Sequence, residues 1–418
     1  MKKLFRLLMV PSLLCVCALG QSTESVLYSF QGAPDGGYPS GGLLFDEAGN
    51  IYGTTVGGGA NCAKYGGCGI VYELSPTVSG YTETVIYDFC PTIVNGRCPD
   101  GAQPWGGLIA DRFGNLYGTT FLEGSANLGV VFELSPPQVQ GGAWTEKTLW
   151  SFGVRKNDGE RPFQGKLNWD AMGNLYGTTE FGGSHGDGTV FELNPDGNGG
   201  WNEKVLLSFG GADGVNPQYG IAVDGSGNLY GTASFGGIVN SACSAGCGTV
   251  FELSPSADGW DGRMLYKPTG VNGANPNSSI SIDSKGNLYG TLQFAGDAGC
   301  YVNDGCGGVF RLSPTSGGGF VRTSFLFDGQ GNNGGNPWAG VLPDSGQDAV
   351  FGTTYWGNNV FEVKGHTETV LYQFCSQPKC TDGNQPLAGT VVSHDGLLYG
   401  VTGYGGDFNS GVVYSVTK

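Results

Sequence analysis

The sequence predicts an all-β protein: a seven-bladed β-propeller with four-stranded blades, its ring closed when the N-terminal strand pairs with the C-terminal blade. Three observations lead there. The composition favours short strands and tight turns, with 79 glycines in 418 residues and only 13% charged residues. A Tyr-Gly-Thr element recurs seven times. One strand type is missing at the C-terminus and present, out of place, at the N-terminus.

The recurring element stands at Tyr52, Tyr117, Tyr176, Tyr230 and Tyr289, then as Phe351-Gly352-Thr353 and Tyr399-Gly400-Val401. Self-similarity at this interval marks an array of supersecondary units. Each unit holds four strand-like segments rich in β-branched and aromatic residues. Segment A is typified by Gly220–Asp224, B by Asn228–Ala233, C by Gly248–Pro255 and D by Glu203–Phe209. Proline ends segment C by withholding a backbone donor.

Between A and B lies an Asp-x-x-Gly-Asn turn, at Asp46, Asp111, Asp170, Asp224 and Asp283. The aspartate suits a side-chain-capped turn and the glycine a positive φ. The spacing faintly resembles a calcium loop, which needs more alternating oxygen ligands and a distal glutamate, so the turn reading is preferred.

Four segments per unit suggest propeller blades. A-type segments begin near Gly42, Gly107, Gly165, Gly220, Ser279, Gly340 and Gly389. C-type segments end near Leu74, Leu134, Leu193, Leu253, Leu312, Val363 and Val416. The last C has no D after it, whereas Ser25–Phe30 is a D-type segment standing before the first A. An offset of this kind closes a ring and shields its edges. Opposite charges at matching C and D positions support the pairing: Glu133 with Lys147, Glu192 with Lys204, Glu252 with Arg263. The closing blade would set Ser415 against Ser25. The fifth would set Arg311 against Arg322.

Residues 1–20 read as a signal peptide. Lys2, Lys3 and Arg6 precede the apolar run Leu7–Leu19, and Ala18-Leu19-Gly20 invites cleavage before Gln21. Cys15 and Cys17 raise a lipoprotein alternative, but Leu14 and Val16 are too large for that cleavage. No later apolar run is long enough to cross a membrane. The expected product is an exported, extracellular or periplasmic monomer with one domain, 21–418. Its formal charge of −16 before cleavage argues against nucleic-acid binding.

Ten cysteines remain after the cut, in five close pairs: Cys62–Cys68, Cys90–Cys98, Cys243–Cys247, Cys300–Cys306 and Cys375–Cys380. In an exported chain these read as disulfides. Their irregular spacing does not suit zinc. Cross-pairing between the first two loops is the alternative connectivity.

The motifs Gly-Asn-Leu-Tyr-Gly-Thr-Thr at 173–179 and Val-Phe-Glu-Leu-Ser-Pro at 250–255, with Thr-Val-Leu-Tyr at 369–372, resemble the GloVer tandem repeat of bacterial exported proteins, some of them anchored. The resemblance covers nearly the whole mature chain. It implies an exported or surface repeat protein and no particular activity. The hairpin around Asp224 is similar to that of NHL and SMP-30-like propellers, which share a fold and not a function.

Propeller connectivity puts D–A and B–C loops on one face, and every mature cysteine falls in one of them. This loop-rich face is where function is expected. Its D–A loops carry [Asp/Asn]-Gly-x-x-Pro seven times, from Asp35, Asp100, Asp158, Asp213, Asn272, Asn333 and Asp382. These residues either cap turns or form a carboxylate ring around the channel mouth. Trp105, Phe163 and Trp338 follow the prolines. Phe181, Phe235, Phe294, Trp356 and Tyr404 follow strand B. Such aromatics either pack between blades or stack on sugar rings.

Residues that break the repeat are the sharper candidates: Trp105, Trp338, Arg161 and His185. Trp356, Asp100, Asp158, Asp213 and Asp382 complete the ligand-binding set. His366 and His394 fall on the opposite face, so no histidine-rich metal centre is expected, and no nucleophile elbow, zinc motif or phosphate loop is present. The leading expectation is a non-catalytic module that binds a glycan or an envelope or extracellular protein, with no cofactor. The alternative is a hydrolase or lyase acting on a sugar or lactone at the channel mouth, dependent on a divalent cation such as calcium.

Overall fold

The protein is described from a computed structural model covering residues 22–62, 66–139, 141–294, 305–329, 334–344, 346–387 and 392–418. The segment expected to be a signal peptide and Cys300 lie outside the described residues. Seven antiparallel sheets, one per four-stranded blade, form a ring; the first gains a fifth strand, Gly36–Pro39, and there is no α-helix among the described residues. In blade 4, strands A to D are Ala222–Val223, Leu229–Ala233, Thr249–Ser256 and Gly259–Tyr266. Strand A is thus shorter than expected. Only its last residues join the ladder.

Blade 7 consists of Val392–His394, Leu397–Thr402, Val412–Thr417 and, as its outer strand, Glu24–Ser29. Glu24 pairs with Val416 and Ser25 with Ser415. The N-terminal strand therefore closes the ring, as its displaced position implies.

Each residue of Tyr-Gly-Thr has a separate task. The tyrosine hydroxyl donates to the turn aspartate, at 3.1 Å for Tyr230 and Asp224. The glycine makes room for the fully buried ring of strand C. A Cβ on Gly231 would lie 2.5 Å from Phe251 and one on Gly177 2.6 Å from Phe191. The threonine ties its blade to the next: Thr232 donates to the Ser278 carbonyl at 2.7 Å and Thr178 to that of Tyr219 at 2.7 Å.

The seams between blades are aromatic. A phenylalanine ending strand D packs edge-on against the strand C ring of the following blade. Phe89 meets Phe132 at 5.2 Å, Phe152 meets Phe191 at 5.1 Å and Phe209 meets Phe251 at 5.1 Å. Phe30 on Tyr72, at 5.0 Å, carries the pattern across the closure. Such edge-to-face pairs contribute about 0.5–1.5 kcal/mol each beyond area burial.

The expected charge pairs Glu133–Lys147, Glu192–Lys204 and Glu252–Arg263 are cross-strand neighbours. Blade 5 corrects the expectation of Arg311 opposite Arg322. Its C–D ladder lacks the bulge that the other six blades carry, so Arg311 faces Thr323 and Arg322 faces Leu312. The one-residue offset separates two like charges. Arg311 then pairs with Asp348 at 3.0 Å, and Arg322 lies over the Tyr266 ring at 4.8 Å.

The Asp-x-x-Gly-Asn turns are structural. Asp224 accepts from the backbone N–H of Ser226 and Asn228, the Asn228 amide and the Tyr230 hydroxyl. Burial works against its ionisation. These hydrogen bonds outweigh that and hold the pKa below the ordinary aspartate range.

Candidate functional site

The loop-rich face is built where each D–A loop bridges the end of strand B in the blade it enters. Ala102 pairs with Leu122, Val215 with Phe235, Ala274 with Phe294 and Asn384 with Tyr404. Among the described residues, four disulfides staple these loops: Cys62–Cys68, Cys90–Cys98, Cys243–Cys247 and Cys375–Cys380. The first two are adjacent, with the sulfurs of Cys62, Cys68 and Cys90 within 4.8 Å of one another. The pairing is nonetheless local.

The loop carboxylates are largely occupied by their own turns. Asp100, Asp158 and Asp382 are buried. Asp100 accepts from the Cys90 N–H at 2.8 Å and the Tyr87 hydroxyl at 3.0 Å. Asp158 accepts from the N–H groups of Val154 and Gly159. Asp382 accepts from Ser376 and from the Tyr372 hydroxyl. Burial pushes the pKa of Asp100 and Asp158 up. Asp213 is exposed, and it is its carbonyl that accepts from Thr249.

The residue before each recurring proline varies from blade to blade, yet it shapes the mouth. Tyr38, Gln103, Arg161, Asn216, Asn275, Asn336 and Gln385 all adopt a positive φ, between 51° and 63°. Only Arg161 among them is a candidate from sequence. This left-handed conformation costs a side-chain-bearing residue of order 1–3 kcal/mol. The surrounding loop ladder holds it in place. Asparagine, which tolerates it best, fills three of the seven places, and that is the legible signal. The turn presents two further residues at the mouth: the one after the proline and the one ending strand B.

The residue after the proline and the one just past strand B are aromatic on blades 6 and 2, as Trp338 and Tyr355 and as Trp105 and Phe121; on blades 7 and 1 the rings come instead from Tyr404 and Tyr38, and Phe163 of blade 3 ends the run. Trp338 stacks on Tyr355 at 4.6 Å and 10°, and Tyr355 meets Trp356 edge-on at 5.5 Å. Tyr38 lies 5.0 Å from Tyr404 and 5.5 Å from Trp105. Trp105 continues to Phe163 at 5.1 Å, and Phe163 to Phe121 at 5.4 Å. The Tyr355 hydroxyl donates to Gln385 at 3.1 Å. Trp105 and Trp338 are half-buried, each with a buried indole N–H that has no partner in the protein. Trp356 is 49% exposed and Tyr404 40%.

On blades 4 and 5 the same positions are polar, and on blade 3 Glu180 is polar while Phe163 is aromatic; Phe181, Phe235 and Phe294 stand on these three blades where Trp356 and Tyr404 stand on blades 6 and 7. The Gln218 amide donates to Glu180 at 2.7 Å, Ser234 donates to Asn277 at 2.7 Å, and Asn277 donates to Gln293 at 3.4 Å. Burial raises the Glu180 pKa, against the hydrogen bond from Gln218 and the charge of Arg161. Arg161 stands at the junction of the two arcs. Its guanidinium lies 5.6 Å from the centre of the Phe121 ring, and its Nε is buried without a partner. His185 is exposed in a B–C loop and bonds Ser184 at 3.0 Å. Gly210 lies beside its ring.

Below the mouth runs a channel of about 730 Å³, lined by residues around the innermost strands. Among the described residues that line it, none is a carboxylate and Lys166 alone is charged. Lys166 occupies the place held by Gly42, Gly107, Gly220 and Ser279 in other blades. The crowding of protein atoms around it lowers its pKa. A cation held by channel carboxylates, which the hydrolase or lyase alternative invokes, finds no ligands among these residues.

No curated protein matches the chain. Among solved structures, an ulvan lyase, a polysaccharide lyase, is similar at 8% identity and a TM-score of 0.52, covering 94% of this chain and 95% of its own. A protein assigned as a gluconolactonase matches at 12% identity, TM-score 0.42, over 84% and 93%. A chain of a nidogen–laminin complex matches at 17%, TM-score 0.41, over 71% and 87%. At these identities the likeness concerns the fold alone. The repeat itself is more specific: the Gloeobacter/Verrucomicrobia repeat matches residues 16–243, 139–325 and 234–418, and the chain belongs to that family.

Proposed function

We propose that the protein is an exported carbohydrate-binding module whose ligand lies across the loop-rich mouth. The observation that carries this reading is the pairing of an aromatic arc with an amide- and carboxyl-bearing arc around one opening. Sugar rings present apolar C–H faces and hydroxyl edges. Flat aromatic surfaces take the former and side-chain amides the latter. Disulfide-stapled loops fit an oxidising compartment, and no helix among the described residues is long and apolar enough to cross a membrane.

The test is a glycan array probed with the protein, with and without calcium. Binding of a defined set of glycans is the expected result, independent of the cation. Silence on the array with capture of an envelope protein instead would replace the carbohydrate reading by a protein partner.

A catalytic reading has one observation in its favour. Glu180 keeps its proton more readily than an ordinary glutamate and sits beside Arg161, the disposition of a general acid. Release of new reducing or unsaturated ends from a bound glycan, lost in Glu180→Gln, would establish it.

A further inference from the structure

The channel below the mouth contains one charge that neither the scaffold nor the mouth uses. Lys166 leads into the innermost strand of blade 3, Asn168–Trp169. Its place is held by Gly42, Gly107, Gly220, Ser279 and Gly340 in other blades. Those small residues have a packing reason. A Cβ on Gly107 would come within 3.0 Å of Gly42, and one on Gly220 would press on the Lys166 carbonyl oxygen. Among these six blades, the third alone sends a long side chain into the channel.

The surroundings leave its ammonium group uncompensated. The side chain is open to the channel, yet protein atoms crowd it and lower its pKa, with no carboxylate offsetting the effect. It has no hydrogen bond or ion pair among the described residues. Other polar side chains in the wall are engaged by backbone. Asn168 donates through Nδ2 to the Ile221 carbonyl at 2.5 Å, and the Ser281 hydroxyl donates to that of Val341 at 2.5 Å. Ser279 Oγ accepts from the Gly220 N–H at 3.3 Å. Gln164 also lines the channel, and its amide oxygen is buried without a partner. With that amide turned over, its N–H would face the same space as a donor. Half-buried Leu44, Val223, Ile282 and Leu342 supply apolar wall.

A charge enclosed by protein is ordinarily paired, and here the partner has to come from outside the chain. A volume of about 730 Å³ is that of a site for an organic molecule, and a mostly apolar wall with few available polar groups is the usual make-up of such a site. We propose that the channel binds an organic monocarboxylate with an apolar body. Its carboxylate pairs with the Lys166 ammonium, and its body lies along the apolar wall. The site does not depend on the carbohydrate reading.

Octanoate is the probe, titrated into the full chain by calorimetry or ligand-observed NMR. The net charge of −16 gives the protein no general attraction for carboxylates, so saturable binding reports a local cation. The expected dissociation constant is about a millimolar or tighter. Lys166→Ser, which installs the residue of blade 5, should weaken octanoate about tenfold or more, the worth of a charged hydrogen bond, with an unaltered melting curve. Lys166→Arg keeps the charge and should lose less. Octanol, which lacks the carboxylate, should bind more weakly than octanoate and be indifferent to Lys166→Ser. Octanoate should also shield Lys166, and not the exposed Lys156, from acetylation by acetic anhydride, read by peptide mapping. Absence of saturable octanoate binding, or equal affinity in wild type and Lys166→Ser, would overturn the proposal and leave Lys166 as a solvated channel residue. Displacement of octanoate by an equal concentration of inorganic phosphate would overturn it too, by making this a site for small anions.

Discussion

The two halves of the mouth are built on one backbone and carry opposite surfaces. Both use the same left-handed turn before proline and the same ladder between the D–A loop and strand B. On blades 6, 7, 1 and 2 the presented side chains are rings in contact with one another. On blades 3 to 5 amides, a hydroxyl and a carboxyl are joined by hydrogen bonds, beside Phe163, Phe181, Phe235 and Phe294. Three of the four disulfides among the described residues staple the loops of the aromatic half: Cys62–Cys68, Cys90–Cys98 and Cys375–Cys380. The repeat therefore specifies a scaffold, and function resides in residues the scaffold leaves unspecified.

The difference extends to the outer strands. The aromatic-half blades carry the half-buried glutamates Glu24, Glu83, Glu146 and Glu368 on strand D. Burial first, and a neighbouring aspartate second, raise each to about 7; hydrogen bonds to Glu146 and Glu368 lower them without cancelling this. In the other half, Glu203 is ion-paired with Arg155, and Gly262 and Arg322 take the remaining places.

The largest expected effect comes from removing the rings. Trp105→Ala combined with Trp338→Ala should cost a bound glycan at least about 100-fold in affinity, since buried aromatic anchors are worth about 2 kcal/mol or more each. Retained affinity would erase the distinction between the halves.

Removing staples comes next. Replacing Cys90 and Cys98 by serine should lower stability by roughly 2 kcal/mol in the chain-entropy model and weaken glycan binding as well. Replacing Cys243 and Cys247 should lower stability similarly and leave aromatic stacking intact. Urea midpoints and binding titrations on both variants separate the two outcomes.

A smaller change is expected from the polar half. Gln218→Ala should weaken binding by about three- to tenfold, the net worth of one hydrogen bond, and leave the choice of glycan class unaltered.

The smallest effect is on pH dependence. Glutamates whose folded pKa exceeds the unfolded value hold a proton preferentially in the folded state. Their contribution is full below about 4.5 and is lost as pH rises towards about 7. Stability should therefore fall between these values. Replacing Glu24, Glu83, Glu146 and Glu368 with glutamine should flatten that part of the curve in denaturant titrations.

Much of this architecture is legible in the sequence, because repetition exposes what every blade needs. Tyr-Gly-Thr recurs because Gly231 and its equivalents must clear a buried ring. Ser25–Phe30 is out of place because it completes another blade's sheet. What the sequence hides depends on three-dimensional neighbours. Tyr38, Tyr355, Phe121, Glu180 and Gln218 join the mouth through contacts between blades, which no single unit reveals. The offset of Arg311 from Arg322 follows from a missing bulge, and strand composition does not encode that directly. His185 breaks the repeat, but it is exposed and bonds to its chain neighbour Ser184.

The most direct test is a single glycan array read with wild-type protein, the Trp105→Ala, Trp338→Ala double variant and Gln218→Ala. The expected result is a defined glycan set for wild type, silence for the double variant, and the same set at reduced signal for Gln218→Ala. A silent wild type, or a double variant that keeps the wild-type pattern, would contradict carbohydrate binding at the mouth.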